Sequence, residues 1–261
     1  MKFKMATEKE LLAARIFLRA VLPVMKVVLE DDPVMKKRFE DVCAKVQFAA
    51  GPDANQTGAC LVFNKGAFKV EQGICADPDI TFSFKTIEKM NGFFAGKPVI
   101  PKIKGIAKVG LLLKVFGLLM SLKILMPNAS PKDPKKRKLK VKMTFYMITT
   151  ALSQYNKGGD PEMVKWTGKQ PERIYQITVD KDIAAYLRVK AGKTKAGRGV
   201  YAKRRPFVHM KFNGVEGAFP IVMNEVDMVT AVKKGYLSIE GSPEYGGNIG
   251  DFMVRIQNLI T

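Results

Sequence analysis

The sequence predicts an α+β protein built from two copies of one unit, and three observations carry that reading. Short strand-like segments bounded by Gly-, Asn- and Asp-rich turns are mixed with helical stretches, the same order of elements recurs further along the chain, and a Pro- and Lys-rich stretch separates the two runs. A recurrence at roughly 130 residues signals domain duplication, not a solenoid. At 261 residues and 47% hydrophobic, the chain has ample material for packed cores.

In the first copy, Thr7 to Glu10 reads as a capping box opening a helix through Leu11, Leu12, Ile16, Leu18, Leu22 and Met25. Asp31-Asp32-Pro33 starts a second, short helix. Strand character follows at Lys45–Phe48, Ala59–Phe63 and Ala67–Glu71, with Asn64-Lys65-Gly66 as a tight hairpin. Asp79–Lys85 alternates strictly, placing Ile80, Phe82 and Phe84 on one face and Thr81, Ser83 and Lys85 on the other. Thr86 caps a helix carrying Ile87, Met90, Phe93 and Phe94. A short strand, Pro101–Gly105, and a very apolar helix, Lys108–Met126, close the unit before Pro127.

Residues 128–142 read as a basic linker, with six Lys/Arg between Lys135 and Lys142. The reading therefore assigns 1–127 to N-terminal helices plus the first domain and 143–261 to the second. There, Val141–Tyr155 is expected as a helix, and Tyr175–Val179, Ile183–Lys190 and Arg198–Lys203 as strands. Phe207–Phe212 alternates again, Asn213 starts a long helix through Val232, kinked or restarted at Pro220, and Tyr236–Gly241 is a short strand. Ser242-Pro243-Glu244 opens a last helix with Ile249, Phe252, Met253, Ile256, Leu259 and Ile260 at helical period. Matching PDITFSFK (78–85) to PFVHMKF (206–212) needs an offset of 128, and PKIKG to YLSIEG one of 136.

Charge narrows the partners. Forty-four Lys+Arg against 24 Asp+Glu give +20, which favours phospholipid surfaces, nucleic acid or acidic metabolites. Cys43, Cys60 and Cys75 form no Cys-x-x-Cys pair, so free thiols in a reducing compartment are expected, with no structural metal. The N-terminus lacks the pattern of a signal peptide, because Arg15, Arg19 and Lys26 interrupt its apolar stretch. The chain is thus expected in the cytoplasm, and the sequons at Asn55 and Asn128 are expected to stay unmodified.

Catalytic constellations do not emerge. His209 is the lone imidazole, facing away from Val208 and Met210, and reads as a surface or hydrogen-bonded structural residue. Gly192-Lys193-Thr194 fails as a phosphate loop because Leu187 stands where the first Gly belongs and a strand follows. Gly197-x-Gly199 is taken as a hairpin turn. No Gly-x-Ser-x-Gly elbow is present, and the chain is read as non-enzymatic with no cofactor.

Apolar surface is what the chain has in excess, with 14 Met and 16 Phe. The Lys108–Met126 helix is apolar around nearly its whole circumference, so it must be buried, lie on a membrane or cover an apolar cavity. Spanning a bilayer is disfavoured, since Lys114 and Lys123 would each cost roughly 2.5–3.5 kcal/mol near its centre.

The order of elements, with MNGFFAG (90–96), KIKG, GYLSIEG (235–241) and DFMVRIQNL (251–259), resembles the sterol carrier protein 2 domain. The resemblance covers roughly 40–126 and 172–261. It implies, in each copy, a mainly antiparallel five-stranded sheet with helices enclosing an apolar tunnel. Such domains bind sterols, fatty acids, fatty acyl-CoA or phospholipids without chemistry. Tunnel-facing candidates are Phe82, Phe84, Met90, Phe94, Leu112, Phe116 and Leu119 in the first copy. In the second they are Val208, Met210, Phe212, Phe252, Met253 and Ile256. Each such side chain buried against a lipid tail contributes roughly 1.5–3 kcal/mol. The positive charge, densest at Lys190–Arg205, would draw the protein to anionic headgroups. The expected function is binding or transfer of an apolar ligand, with peripheral contact to an anionic membrane. A scaffold with filled cavities and an accessory subunit presenting a lipid to an enzyme are the alternatives. Nucleic-acid binding is disfavoured because aromatic residues do not interleave with the basic segments.

Overall fold

The computed structural model describes residues 5–51 and 56–261, so Lys2, Lys4 and Asn55 lie outside the described residues. The chain divides into two units, the first running to Lys123 and taking in Leu259–Thr261, the second Ile124–Asn258. The class is α+β, with one five-stranded sheet in each unit.

Thr7 forms the expected capping box: its hydroxyl accepts from Glu10 N at 3.2 Å, and Glu10 Oε2 accepts from Thr7 N at 2.7 Å. The helix it starts runs as α1 (Glu8–Ile16), a π-helical turn over Phe17–Val21, and α2 (Leu22–Asp31). Asp32 caps α3 (Pro33–Phe39) by accepting from Val34 N and Met35 N. The strands are β1 (Cys43–Ala50), β2 (Thr57–Asn64), β3 (Ala67–Gln72), β4 (Ile80–Phe84) and, after α4 (Ile87–Phe94), β5 (Lys102–Lys104). Their order in space is β3-β2-β1-β4-β5. Neighbours run antiparallel except β1 and β4, which are parallel, so the sheet is mixed. That pairing sets Val46, Phe48 and Ala50 beside Ile80, Phe82 and Phe84, the alternating apolar face read from the sequence. All six side chains are buried.

The expected Lys108–Met126 helix is shorter than its apolar run. It is helical as α5 (Val109–Ser121), then tightens to a 3₁₀ turn at Leu122–Leu125. Its circumference is not all buried. Val115 and Leu118 are inaccessible, while Val109, Leu113 and Met120 are 58%, 66% and 52% exposed.

The second unit repeats the plan: α6 (Pro134–Lys157), α7 (Pro161–Gly168), β6 (Arg173–Val179), β7 (Ile183–Lys190), β8 (Lys193–Arg198), β9 (Val208–Phe212), α8 (Gly214–Val222), α9 (Met228–Lys233), β10 (Leu237–Gly241) and α10 (Pro243–Ile260). Its sheet order, β10-β9-β6-β7-β8, is the first order reversed in listing, and again only β6 and β9 are parallel. Four details equate the copies residue by residue. Asp32-Pro33 and Asp160-Pro161 cap and open the same short helix. Gln47 and Gln176 sit at matching places in β1 and β6, pairing in parallel with Thr81 and His209. Lys65-Gly66 and Ala191-Gly192 make the two-residue turn, both residues at positive φ. Gly105 and Gly241, at φ +83° and +99°, sit so close to the carbonyl oxygens of Asp79 and Phe207 that a Cβ would fall about 2 Å away.

Several expectations are corrected. Residues 134–142, taken as solvated linker, are the first turns of α6, because Asp133 caps a helix there with Pro134 in its first turn. They correspond to the opening of α1. Arg198–Lys203 is not the strand; β8 precedes it at Lys193–Arg198, and the hairpin turn is Ala191-Gly192, not Gly197-x-Gly199. The long helix expected after Asn213 is two, broken between Met223 and Asp227, although α8 continues through Pro220. The Asn213 side chain accepts no cap hydrogen bond from the first turn of α8. Helix α7 had no counterpart in the sequence reading. Cys60 and Cys75 are joined as a disulfide across 6.0 Å between Cα atoms, leaving Cys43 free and exposed.

Candidate functional site

In the first unit the candidates converge on a cluster of phenylalanine rings. Phe82 stacks on Phe48 at 4.8 Å, takes the edge of Phe116 at 5.6 Å, and faces Phe93 at 6.5 Å. Phe84 meets Phe93 at 5.3 Å, and Phe94 meets Phe48 and Phe17 at 5.3 and 5.6 Å. The sheet supplies Phe48, Phe82 and Phe84, α4 supplies Phe93 and Phe94, and α5 supplies Phe116. Met90 is fully buried, while Leu112 and Leu119 are half-buried on α5. Sequence reasoning missed Phe17, Phe48 and Phe93 as members. Phe48 carried the same alternation signal as Phe82, but only the parallel pairing of β1 with β4 puts the rings together.

In the second unit the candidates form two groups. Val208, Met210 and Phe212 are buried along β9, with Phe212 against Phe145 of α6 at 4.7 Å. Phe252 of α10 instead packs on Trp166 of α7 at 5.4 Å, with Ile256 buried and Met253 half-buried. Trp166 also approaches Tyr175 and Tyr245, and Arg173 lies over Phe207 and Tyr245 at 4.0 and 4.4 Å. This aromatic group was not foreseen, since α7 itself was not. A cleft of about 630 Å³ opens where β9 meets β10, lined by Phe212, Val232, Leu237 and Ile239 with Lys211, Asn213 and Ser238. Of the candidates, only Phe212 lines it.

Buried polar groups hold the frame. Gln47 Nε2 donates to the carbonyls of Phe48, Ala59 and Gly73, and its Oε1 accepts from Cys75 N at 2.8 Å. Gln176 does the same with Ile177, Ala185 and Gly199, and accepts from Tyr201 N at 3.0 Å. Each Gln thus ties the segment after the third strand to the sheet centre. A second tie lies alongside. Cys60 is the register partner of Gln47 and bonds to Cys75, whereas Tyr186 is the register partner of Gln176 and packs on Tyr201 at 4.9 Å. One copy closes this loop covalently and the other with an aromatic pair.

The charged residues are partly engaged. Of the 135–142 group, Lys138 pairs with Asp182 at 2.7 Å and Arg137 with Glu216 at 2.5 Å. Lys140 is buried, donates to the carbonyls of Ile124 and Met126, and has its pKa pushed down to about 8 by desolvation. In the 190–205 group, Lys190 and Arg188 share Glu172, and Arg204 donates to its backbone carbonyl. Thr194, of the rejected phosphate-loop motif, is buried and bonded to Ser153. His209 Nε2 lies 2.9 Å from Thr178 Oγ1, and burial followed by Lys211 lowers its pKa. Among the described residues no group of three or more His, Cys, Asp or Glu could hold a metal ion. Nor is any helix among them long and apolar enough to cross a membrane.

No family model matches the chain, and no curated protein matches it. Among solved structures it is similar to a double mutant of the sec-alkyl sulfatase PisA1, at 15% identity and a TM-score of 0.28 over 56% of this chain. It is also similar to the stereoselective inverting sec-alkylsulfatase Pisa1 from Pseudomonas sp., at 13% identity and 0.25 over 54%. The match spans 28% of the length of each of those proteins. Likenesses of this size carry no argument about activity.

Proposed function

We propose that the chain is a tandem sterol carrier protein 2-like protein that binds an apolar, lipid-like ligand without catalysis. The observation carrying this reading is the phenylalanine cluster of the first unit, which lies between the sheet, α4 and α5. Phe116 reaches Phe82 from α5 and is itself half-buried, on the same face of the helix as the exposed Leu113 and Met120, so the ring cluster borders that apolar face. An apolar chain entering beneath α5 would replace ring–ring contacts with ring–methylene contacts at small cost, because neither is directional. The +20 charge supports an anionic headgroup or membrane donor. Native mass spectrometry of gently purified protein is expected to show a lipid-sized mass excess, and a fluorescent fatty acid is expected to be displaced by natural lipids. Apo protein alone, with no displacement, would sink the reading.

One observation favours the scaffold instead. Phe48 and Phe82 are in direct contact and nearly parallel, so nothing separates these two rings, and a filled interior needs no ligand. Phe82→Ala distinguishes the two. A carrier gains or alters ligand occupancy when the ring is removed, whereas a filled scaffold loses stability, by about 3–5 kcal/mol, with no change in bound mass.

A further inference from the structure

We infer that the exposed face of α5 is the surface by which the first unit docks on an anionic phospholipid bilayer. This rests on the lipid-binding reading and deepens it by placing the contact directly over the phenylalanine cluster. Val109, Leu113 and Met120 recur at helical spacing, and Ile106 leads into them; all four are more than half exposed. Monomeric proteins seldom leave a contiguous apolar stripe of large side chains to water without a partner for it.

The charge around the stripe selects the partner. From Lys89 to Lys132 the chain has eight Lys and no Asp or Glu. Lys102 and Lys104 of β5 are exposed and alternate with the half-buried Ile103, and Lys97 and Lys123 are exposed too. Lys108 pairs with Asp79. An apolar stripe rimmed by cations suits the boundary between acyl chains and anionic headgroups. It would repel another basic surface, including a second copy of this face.

The exposed face of α5 leads to the interior through Phe116. Phe116 lies on the same face of α5 as Val109, Leu113 and Met120, is half-buried there, and touches Phe82. Seating the stripe among headgroups therefore brings Phe116, at the rim of the phenylalanine cluster, to the lipid boundary.

The test is flotation of the full chain with vesicles of phosphatidylcholine mixed with phosphatidylserine, against phosphatidylcholine alone. Native protein is expected to bind the mixed vesicles and to be released by salt. Leu113→Gln with Met120→Gln keeps a good helix former at both sites and is expected to weaken binding at least tenfold. Lys102→Glu with Lys104→Glu, on a different element, is expected to remove the preference for phosphatidylserine, each charge being worth about fivefold. Circular dichroism melts of both variants check folding. Native protein that ignores the mixed vesicles overturns the inference, as does equal binding by both folded variants. A dimer that only the Gln variant splits, with no vesicle binding, also overturns it by making the face a contact between copies. Occupancy by native mass spectrometry separates the two readings: bound lipid without docking removes only this inference, and docking without bound lipid removes only the carrier.

Discussion

Gln47 and Gln176 are buried amides whose every polar atom is used, and that satisfaction is what permits an amide at a sheet centre. Replacing Gln47 by Leu keeps the volume but orphans Cys75 N and the Gly73 carbonyl. The expected cost is about 2–4 kcal/mol, read by urea unfolding, since each unsatisfied buried group costs roughly 1–3 kcal/mol. An unchanged midpoint would mean the loop finds other partners. Lys140 gives a pH signature. Its folded pKa, about 8, lies below the unfolded value of 10.5, so the unfolded chain binds more protons in between. Stability is therefore expected to rise from about pH 8 towards pH 10, and Lys140→Met to flatten that rise. Melting curves for the two proteins between pH 7.5 and 9.5 decide it, below the range where Tyr155, pushed up to about 12 by burial, reverses the trend. Identical slopes would refute the assignment.

At the scale of elements, the loop after the third strand carries the difference between the copies. The Cys60–Cys75 bond closes a separation of 15 residues, a loop whose cross-link contributes about 3 kcal/mol. Full reduction, or the double change Cys60→Ala and Cys75→Ala, is expected to lower the melting temperature of the first unit by about 10 °C. Thiol titration of native protein should find one reactive group, Cys43; three would remove the bond. The terminal strands provide a matched pair. Gly105→Ala and Gly241→Ala each place a methyl about 2 Å from a carbonyl oxygen at positive φ. Both should loosen the last strand of their sheet by roughly 1–3 kcal/mol. A harmless substitution at one position would break the equivalence of the copies.

At the scale of the whole molecule, each unit has its own sheet and its own buried residues. Calorimetry is expected to resolve two transitions, with reductant moving only the one that belongs to the disulfide-bearing unit. A single transition that shifts as a whole would show that the units unfold together.

How much was legible follows from the range of each interaction. Asp79–Lys85 and Phe207–Phe212 were readable because strand alternation is a two-residue property, and Thr7, Asp32 and Thr86 because a cap spans three residues or fewer. Ala191-Gly192 was not recognised as the hairpin turn because the paired glycines Gly197 and Gly199 carry the stronger local turn signal, whereas Gly197 lies within β8 against the Tyr186 ring. Residues 134–142 were misread because Lys and Pro density signals solvent, whereas Asp133 and Pro134 start a helix with them. The likeness of Cys60–Cys75 to Tyr186–Tyr201 was invisible, since a thiol and a phenol share no pattern.

The sequence by itself determined the duplication, the alternating strands, most helix starts and the excess of positive charge, because these are local or additive properties. Only the tertiary structure decided which copy of the loop is bonded and that both sheets are mixed. It also decided that α5 is greasy on an open face and that Phe48 joins Phe82. Those features depend on residues distant in the chain meeting across a parallel pair or a loop closure, and no local period encodes that meeting.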